Sequence, residues 1–154
     1  MSLRDVVGSV VDPELRVVTI DELGILRGVD EDTATGRVTV TITPTYSGCP
    51  AMDVISSDIR RALDRAGYPD AAVVTQLFPA WSTDMINESG RAKLATARIA
   101  PPGPAGLVRV ALSVRCVHCG SIDTEELSRF GSTACKSLWR CRTCGEPFER
   151  VKPL

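Results

Sequence analysis

Four cysteines in two pairs carry the strongest chemical signal: Cys116-Val117-His118-Cys119-Gly120 and Cys141-Arg142-Thr143-Cys144-Gly145. Two residues between paired cysteines let both sulfurs turn toward one point. The glycine that follows permits a tight turn exposing backbone N–H groups to sulfur. Four thiolates then satisfy zinc tetrahedrally at about 2.3 Å each. Cys119 and Cys141 are separated by 21 residues, against a usual limit of about 20, which reads as one extra loop residue. An iron–sulfur cluster also takes four cysteines, but glycine-bearing twin knuckles favour a closed structural zinc site over a cluster and over metal-free buried thiols. A unit this small lacks the apolar surface to fold alone, so the metal is expected to carry its stability.

A different thiol stands in Thr43-Pro44-Thr45-Tyr46-Ser47-Gly48-Cys49-Pro50. Proline is favoured as the first residue of a helix, so Cys49 falls at or next to an N-cap. Unpaired backbone N–H groups and the positive dipole end favour thiolate there. Ser47 and Gly48 add hydroxyl and amide donors. Such a thiolate suits nucleophilic attack, transient metal ligation or redox sensing, whereas a small residue filling space under the helix is an equally frequent role for a free cysteine. Asp12 and Glu14 bracket Pro13 and read first as turn formers; carboxylates near Cys49 are the other reading. His118, the single histidine, sits inside a knuckle and is expected to be an exposed polar residue, not a ligand. One histidine also disfavours hydrolytic triads, cysteine hydrolysis and histidine-rich catalytic metal sites.

The elements that position these groups are legible in part. Ser2 caps a first helix in which Leu3, Val6, Val7 and Val10 recur at helical spacing, ended by Asp12-Pro13. Residues 24–30 and 37–43 read as strands around an Asp30-to-Gly36 turn; Val38, Val40 and Ile42 alternate with threonines. A second helix from Pro50 lines up Met52, Ile55, Ile59, Leu63 and Ala66 and stops at Gly67 and Pro69. Residues 71–78 form a third strand, and a last helix runs from Ser82 to Leu94. The fold class is therefore α+β: a small three-stranded sheet with packed helices over residues 1–98, a Pro/Gly linker over 99–107, and a β zinc ribbon over 108–154. Val108, Val110 and Leu112 supply a strand before the first knuckle.

The chain of 154 residues carries a net charge of −1, which excludes the basic footprint of a dedicated nucleic-acid binder. Residues 1–100 are net −4 and residues 101–154 net +3, a mild asymmetry. No apolar run reaches the roughly 18–20 residues of a membrane span. No signal peptide is recognisable, so a cytoplasmic, reducing setting is expected, where cysteines serve as ligands or reactive thiols and not as disulfides. No phosphate loop, dinucleotide fingerprint or nucleophile elbow appears.

Asp12-Pro13-Glu14-Leu15, Ile20-Asp21-Glu22-Leu23-Gly24-Ile25, the Thr43–Pro50 segment and Pro79-Ala80-Trp81-Ser82-Thr83-Asp84-Met85-Ile86 resemble the small domain of SufT-type and cytosolic iron–sulfur assembly factors. Phe130-Gly131-Ser132-Thr133-Ala134-Cys135-Lys136, together with the ribbon, narrows the resemblance to the PaaD family, accessory subunits of bacterial phenylacetyl-CoA epoxidase in phenylacetate breakdown. The resemblance covers nearly the whole chain. It implies an accessory role without independent enzymatic activity, partnership with a di-iron oxygenase subunit and a reductase carrying a [2Fe–2S] cluster and flavin, and maturation of their metal centres. It also implies that Cys49 is the functional cysteine, that Asp12 and Glu14 belong to an acidic motif, and that iron or a cluster is held transiently. Arg16 departs from the family pattern, which suggests an apolar residue or proline there. Cys135, in the family-specific segment, is a second reactive thiol, an auxiliary ligand or core filling; it lies too far from Cys141 to join that knuckle without a loop. A non-catalytic adaptor is the alternative function, and nucleic-acid binding through Arg140, Arg142, Arg150 and Lys152 ranks below it. A homodimer stays open.

Overall fold

The computed structural model describes residues 1–103 and 114–153 and divides the chain into two compact units, Met1–Gly90 and Arg91–Leu154. No helix among the described residues is long and apolar enough to cross a membrane.

In the first unit, helix α1 (Leu3–Gly8) starts on Ser2, whose hydroxyl accepts the Asp5 amide while the Asp5 carboxylate accepts the Ser2 amide. The two bonds satisfy N-terminal donors reciprocally. The helix ends at Gly8, short of the expected Asp12-Pro13. Val11 bridges Thr19 in antiparallel fashion and the Asp12 amide donates to Val18 O at 3.0 Å, so the backbone from residue 11 onward has exchanged helical for cross-chain partners.

Strand β1 (Leu26–Glu31) pairs antiparallel with β2 (Val38–Ile42), with an irregularity at Arg27. β2 pairs parallel with β3 (Ala72–Thr75), giving the order β1-β2-β3. A parallel pair needs a crossover, and helix α2 (Ala51–Arg65) supplies it. Val38, Val40 and Ile42 point inward from β2, and Ile55, Ile59 and Leu63 are fully buried along one face of α2. Burying each such side chain stabilises the unit by roughly 1.5–3 kcal/mol. The helix closes with Tyr68 N–H donating to Leu63 O and Gly67 N–H to Asp64 O, Gly67 having φ +94, a Schellman ending that needs glycine's left-handed freedom. The third strand is shorter than the expected 71–78.

The expected helix from Ser82 to Leu94 is broken. Thr83–Met85 is a single 3₁₀ turn, Ile86 is extended, and helix α3 (Glu88–Thr96) begins afterwards. Asn87 Oδ1 accepts the Gly90 amide at 2.8 Å, the bond of an N-cap, so the true start signal is Asn87. The intervening residues clasp the turn before β1. Trp81 Nε1 donates to Leu23 O at 2.8 Å, and the Asn87 amide donates to Glu22 O at 3.0 Å. Gly24 sits inside this clasp at φ +73, where a Cβ would lie 2.6 Å from Met85 O.

In the second unit the sheet order is β4-β7-β6-β5, from β4 (Ile99–Ala100), β5 (Thr124–Ser128), β6 (Lys136–Cys141) and β7 (Pro147–Val151). Ile99 and Ala100, expected at the head of the linker, instead form an edge strand parallel to Glu149 and Arg150. The expected strand at Val108, Val110 and Leu112 lies outside the described residues. The core gathers Ala100, Val114, Trp139 and Phe148 with Cys116 and Cys141, so two sulfurs belong to the packing itself.

Gly24→Ala is expected to cost about 3 kcal/mol or more, because left-handed strain and a clash with backbone combine. Gly36→Ala should cost only the roughly 1–2 kcal/mol of the left-handed conformation, since a Cβ at Gly36 meets nothing within 4 Å. Urea midpoints compare the two; equal losses would show that the clasp around Gly24 is not tightly packed.

Candidate metal centre and a separate thiol

The two knuckles are built alike. Gly120 N–H donates to Cys116 O at 3.0 Å and Gly145 N–H to Cys141 O at 2.9 Å, with φ +77 and +79 at the glycines. The first cysteine of each knuckle is tied back to the residues that follow: Cys116 N–H donates to Ser121 O and Cys141 N–H to Glu146 O. The His118 amide points at Cys116 Sγ from 3.3 Å. These local rings turn the sulfurs inward, and the antiparallel pairing of β5 with β6 brings the knuckles together.

Cys116 Sγ lies 3.8 Å from Cys144 Sγ, Cys119 Sγ lies 3.6 Å from Cys141 Sγ, and all four sulfurs fall within 4.8 Å of one another. A tetrahedron of sulfurs around zinc has edges of about 3.8 Å, so the set fits that ion. Four protein ligands leave no open position, which makes the centre structural and not catalytic. Cys116 and Cys141 face the core while Cys119 and Cys144 face solvent.

The electrostatics explain why a dication belongs there. Amide donation from Cys144 and Thr143 brings the Cys141 thiol down to about 6. The Glu146 amide pulls Cys144 the same way, but desolvation and the sulfurs of Cys141, Cys119 and Cys116 push it up to about 12. Cys119 is also raised: the Ser121 amide favours its thiolate, but desolvation and the sulfurs of Cys141 and Cys116 outweigh it. One sulfur ionises readily, and its charge then resists ionisation of its neighbours until a cation compensates.

His118 is turned away from the sulfurs. Its Nε2–H donates to Pro147 O and its Nδ1 accepts from Arg98, both at 3.1 Å, which assigns the neutral tautomer from its partners. Arg140 and Arg142 both bind Glu125, whose carboxyl the two guanidinium groups hold below its usual range, the Arg140 hydrogen bond first. Two of the four cations considered for nucleic acid are thus already paired. Cys135 is buried outside the tetrad, with Sγ 3.1 Å from Thr133 Oγ1.

Cys49 immediately precedes the Pro50 that caps α2, at 9% exposure. Its amide donates to Tyr46 O at 3.3 Å and its carbonyl accepts from Met52. Among the described residues no hydrogen bond reaches Cys49 Sγ, so the amide donation expected of a helix mouth falls on its backbone. Gly48 turns the chain at φ +77, and Ser47 and Gly48 are exposed. The same Thr45–Ser47 loop, with Leu77, Phe78 and Trp81, lines a cavity of about 230 Å³. Phe78 is 82% exposed, an apolar feature at the end of β3 that the strand pattern did not single out. Asp12 Oδ1 accepts the Glu14 and Leu15 amides at 2.9 and 2.7 Å, the turn-forming use of that carboxylate. Arg16 has φ +53, which proline's ring cannot adopt.

The family model described as an iron–sulfur cluster assembly protein matches residues 2–75, and the PaaD zinc beta ribbon model matches residues 100–152. An Escherichia coli protein named as one component of a "Putative 1,2-phenylacetyl-CoA epoxidase" is 44% identical over 142 residues, covering 92% of this chain and 85% of that protein. A Porphyromonas gingivalis protein named "Fe-S protein maturation auxiliary factor" is 37% identical over 87 residues, covering 56% of this chain and 81% of its own. The crystal structure of a domain of unknown function, DUF59, from Bacillus anthracis superposes with a TM-score of 0.55 at 29% identity, covering 60% of this chain and 87% of its own.

Chelation is expected to release about one zinc per chain and to unfold the ribbon, read as loss of the near-UV signal of Trp139. Cys141→Ser should abolish stoichiometric zinc. The folded-state value of Cys141 lies below that of a free thiol, so its contribution is complete above the free-thiol range, shrinks as pH falls through neutrality and is gone below about 6. Zinc retention measured from pH 8 to pH 4 should fall as protons compete with the ion for the sulfurs, and retention unchanged at pH 4 would contradict the assignment.

Proposed function

The chain belongs to the PaaD family of phenylacetyl-CoA epoxidase components, and from that premise we propose that it assists delivery of iron or an iron–sulfur cluster to the oxygenase or reductase subunits, with Cys49 as the transfer ligand. One observation carries the reading: the chain keeps two chemically separate kinds of sulfur. Four are consumed in a closed centre. Cys49 stands alone at the start of α2, beside an exposed glycine turn, in a unit of the iron–sulfur assembly type. Ligation replaces the thiol proton with iron, the proton passing to solvent. The metal cargo is a substrate of the protein, distinct from the zinc that holds the ribbon.

The low exposure of Cys49 means that loading requires the Pro44–Gly48 loop to open. Left-handed Gly48 is the natural pivot, since a Cβ there meets nothing within 4 Å. The same burial supports a second reading, in which Cys49 only fills space and the protein is an adaptor between subunits. Asp12 accepts the Glu14 and Leu15 amides in its own turn in both readings. Cys135 serves as an auxiliary thiol in the first and as packing in the second.

Cys49→Ala should preserve the fold, at a cost of about 1 kcal/mol, while lowering iron in co-expressed oxygenase or reductase subunits by about tenfold or more. Elemental analysis of anaerobically purified subunits reads the effect. Cys49→Ser supporting full iron occupancy would favour the adaptor; ribbon mutants such as Cys141→Ser would then be the ones that lose partners in a pull-down.

A further inference from the structure

The ribbon carries a second cluster that the metal centre does not use. Residues around β5, β6 and β7 line a groove of about 500 Å³. Trp139 is buried against it and Phe130, at the rim, is 69% exposed. Each ring bears a cation over its face: the Arg150 guanidinium carbon lies 5.8 Å from the Trp139 centroid and Lys152 Nζ 4.4 Å from that of Phe130.

Arg150 is the anomaly. Its Nε is buried with no hydrogen-bond partner, whereas buried donors are almost always paired. Burial pushes its pKa down, opposed by the Glu126 carboxylate. Yet among the described residues Glu126 and Arg150 form no ion pair, and Arg129, exposed at the rim, is also unpaired. Ser137 Oγ accepts the Trp139 indole N–H at 2.9 Å, which leaves the serine hydroxyl proton available to donate. The groove therefore offers donors from Arg150, Arg129 and Ser137 against the single carboxylate of Glu126, beside Phe130, one face of which is covered by Lys152, itself donating to Ala134 O at 2.8 Å.

We propose that this groove binds a small oxyanion joined to a planar ring, with the carboxylate or phosphate on the guanidinium of Arg150 and the ring against Phe130. A guanidinium edge presents parallel donors that match the oxygens of either anion. Stacking on an exposed ring adds affinity for any planar group. A nucleic-acid strand is disfavoured, because it needs a run of free cations and Arg140 and Arg142 are committed to Glu125. The site is independent of the role given to Cys49.

The test uses zinc-loaded full-length protein and nuclear magnetic resonance of the Arg150 Nε–H and Trp139 indole N–H. Phenylacetate is the carboxylate source and adenosine monophosphate the phosphate source. Acetate and inorganic phosphate are anions without a ring, and phenylethanol is a ring without charge. At least one ring-bearing anion should shift both signals saturably with a Kd at or below about 1 mM, and about tenfold more tightly than the three control probes. Whichever of the two binds identifies the source. Arg150→Gln should abolish binding with zinc retained; should that variant unfold, Arg129→Gln should weaken binding several-fold. No saturable shift with either ring-bearing anion, equal binding of acetate and phenylacetate, or wild-type binding by both variants would overturn the proposal. Binding of a single-stranded oligonucleotide alone would overturn it in favour of a polymer site.

Discussion

Four sulfurs within 4.8 Å of one another form an arrangement that a protein cannot keep charged by itself. Cys141 ionises early because two amides point at it, and the result is resistance at Cys119 and Cys144. A divalent cation eases the conflict by bonding every sulfur and cutting the charge of four thiolates from −4 to −2. Because Cys116 and Cys141 are also core residues, packed with Trp139 and Phe148, the ion and the hydrophobic core of the ribbon are one cooperative object. Removing either exposes the other.

The first unit depends on a different logic, burial of aliphatic side chains between sheet and helix. Its unusual feature is the clasp of residues 81–90 around the turn at Glu22 to Gly24. Trp81 commits its indole N–H to a backbone carbonyl there, and two glycines, Gly24 and Gly90, allow backbone to approach within Cβ-excluding distance. The clasp anchors the chain on leaving β3, next to the loop that leads to Cys49. Cys49 thus follows an exposed glycine turn, and Trp81 of the clasp lines the same cavity as the loop before it.

Local signals were legible where they were self-contained. The alternation in Val38–Ile42, the spacing of Ile55, Ile59 and Leu63, the capping serine and the twin knuckles each state their structure within a few residues, and each is found. Features set by distant partners were not legible. The segment Ser82–Leu94 has residues compatible with a helix throughout, but Trp81 and Asn87 bind the Glu22–Gly24 turn and break it. Ile99 and Ala100 look like linker because their partner strand lies about fifty residues on. The placement of Cys49 beside α2 was readable from Pro50; the burial of its sulfur depends on packing that no local pattern encodes.

The ribbon sheet places β7 in its interior, between β4 and β6. β7, which follows β4, β5 and β6 in the chain, therefore has neighbours on both sides, as β6 does. During vectorial synthesis the first knuckle emerges with two sulfurs and no complement; the tetrad cannot close before Cys144 clears the ribosome, nor the sheet before Val151 does. The ribbon is consequently completed after the residues of the first unit, Met1–Gly90, are free to fold.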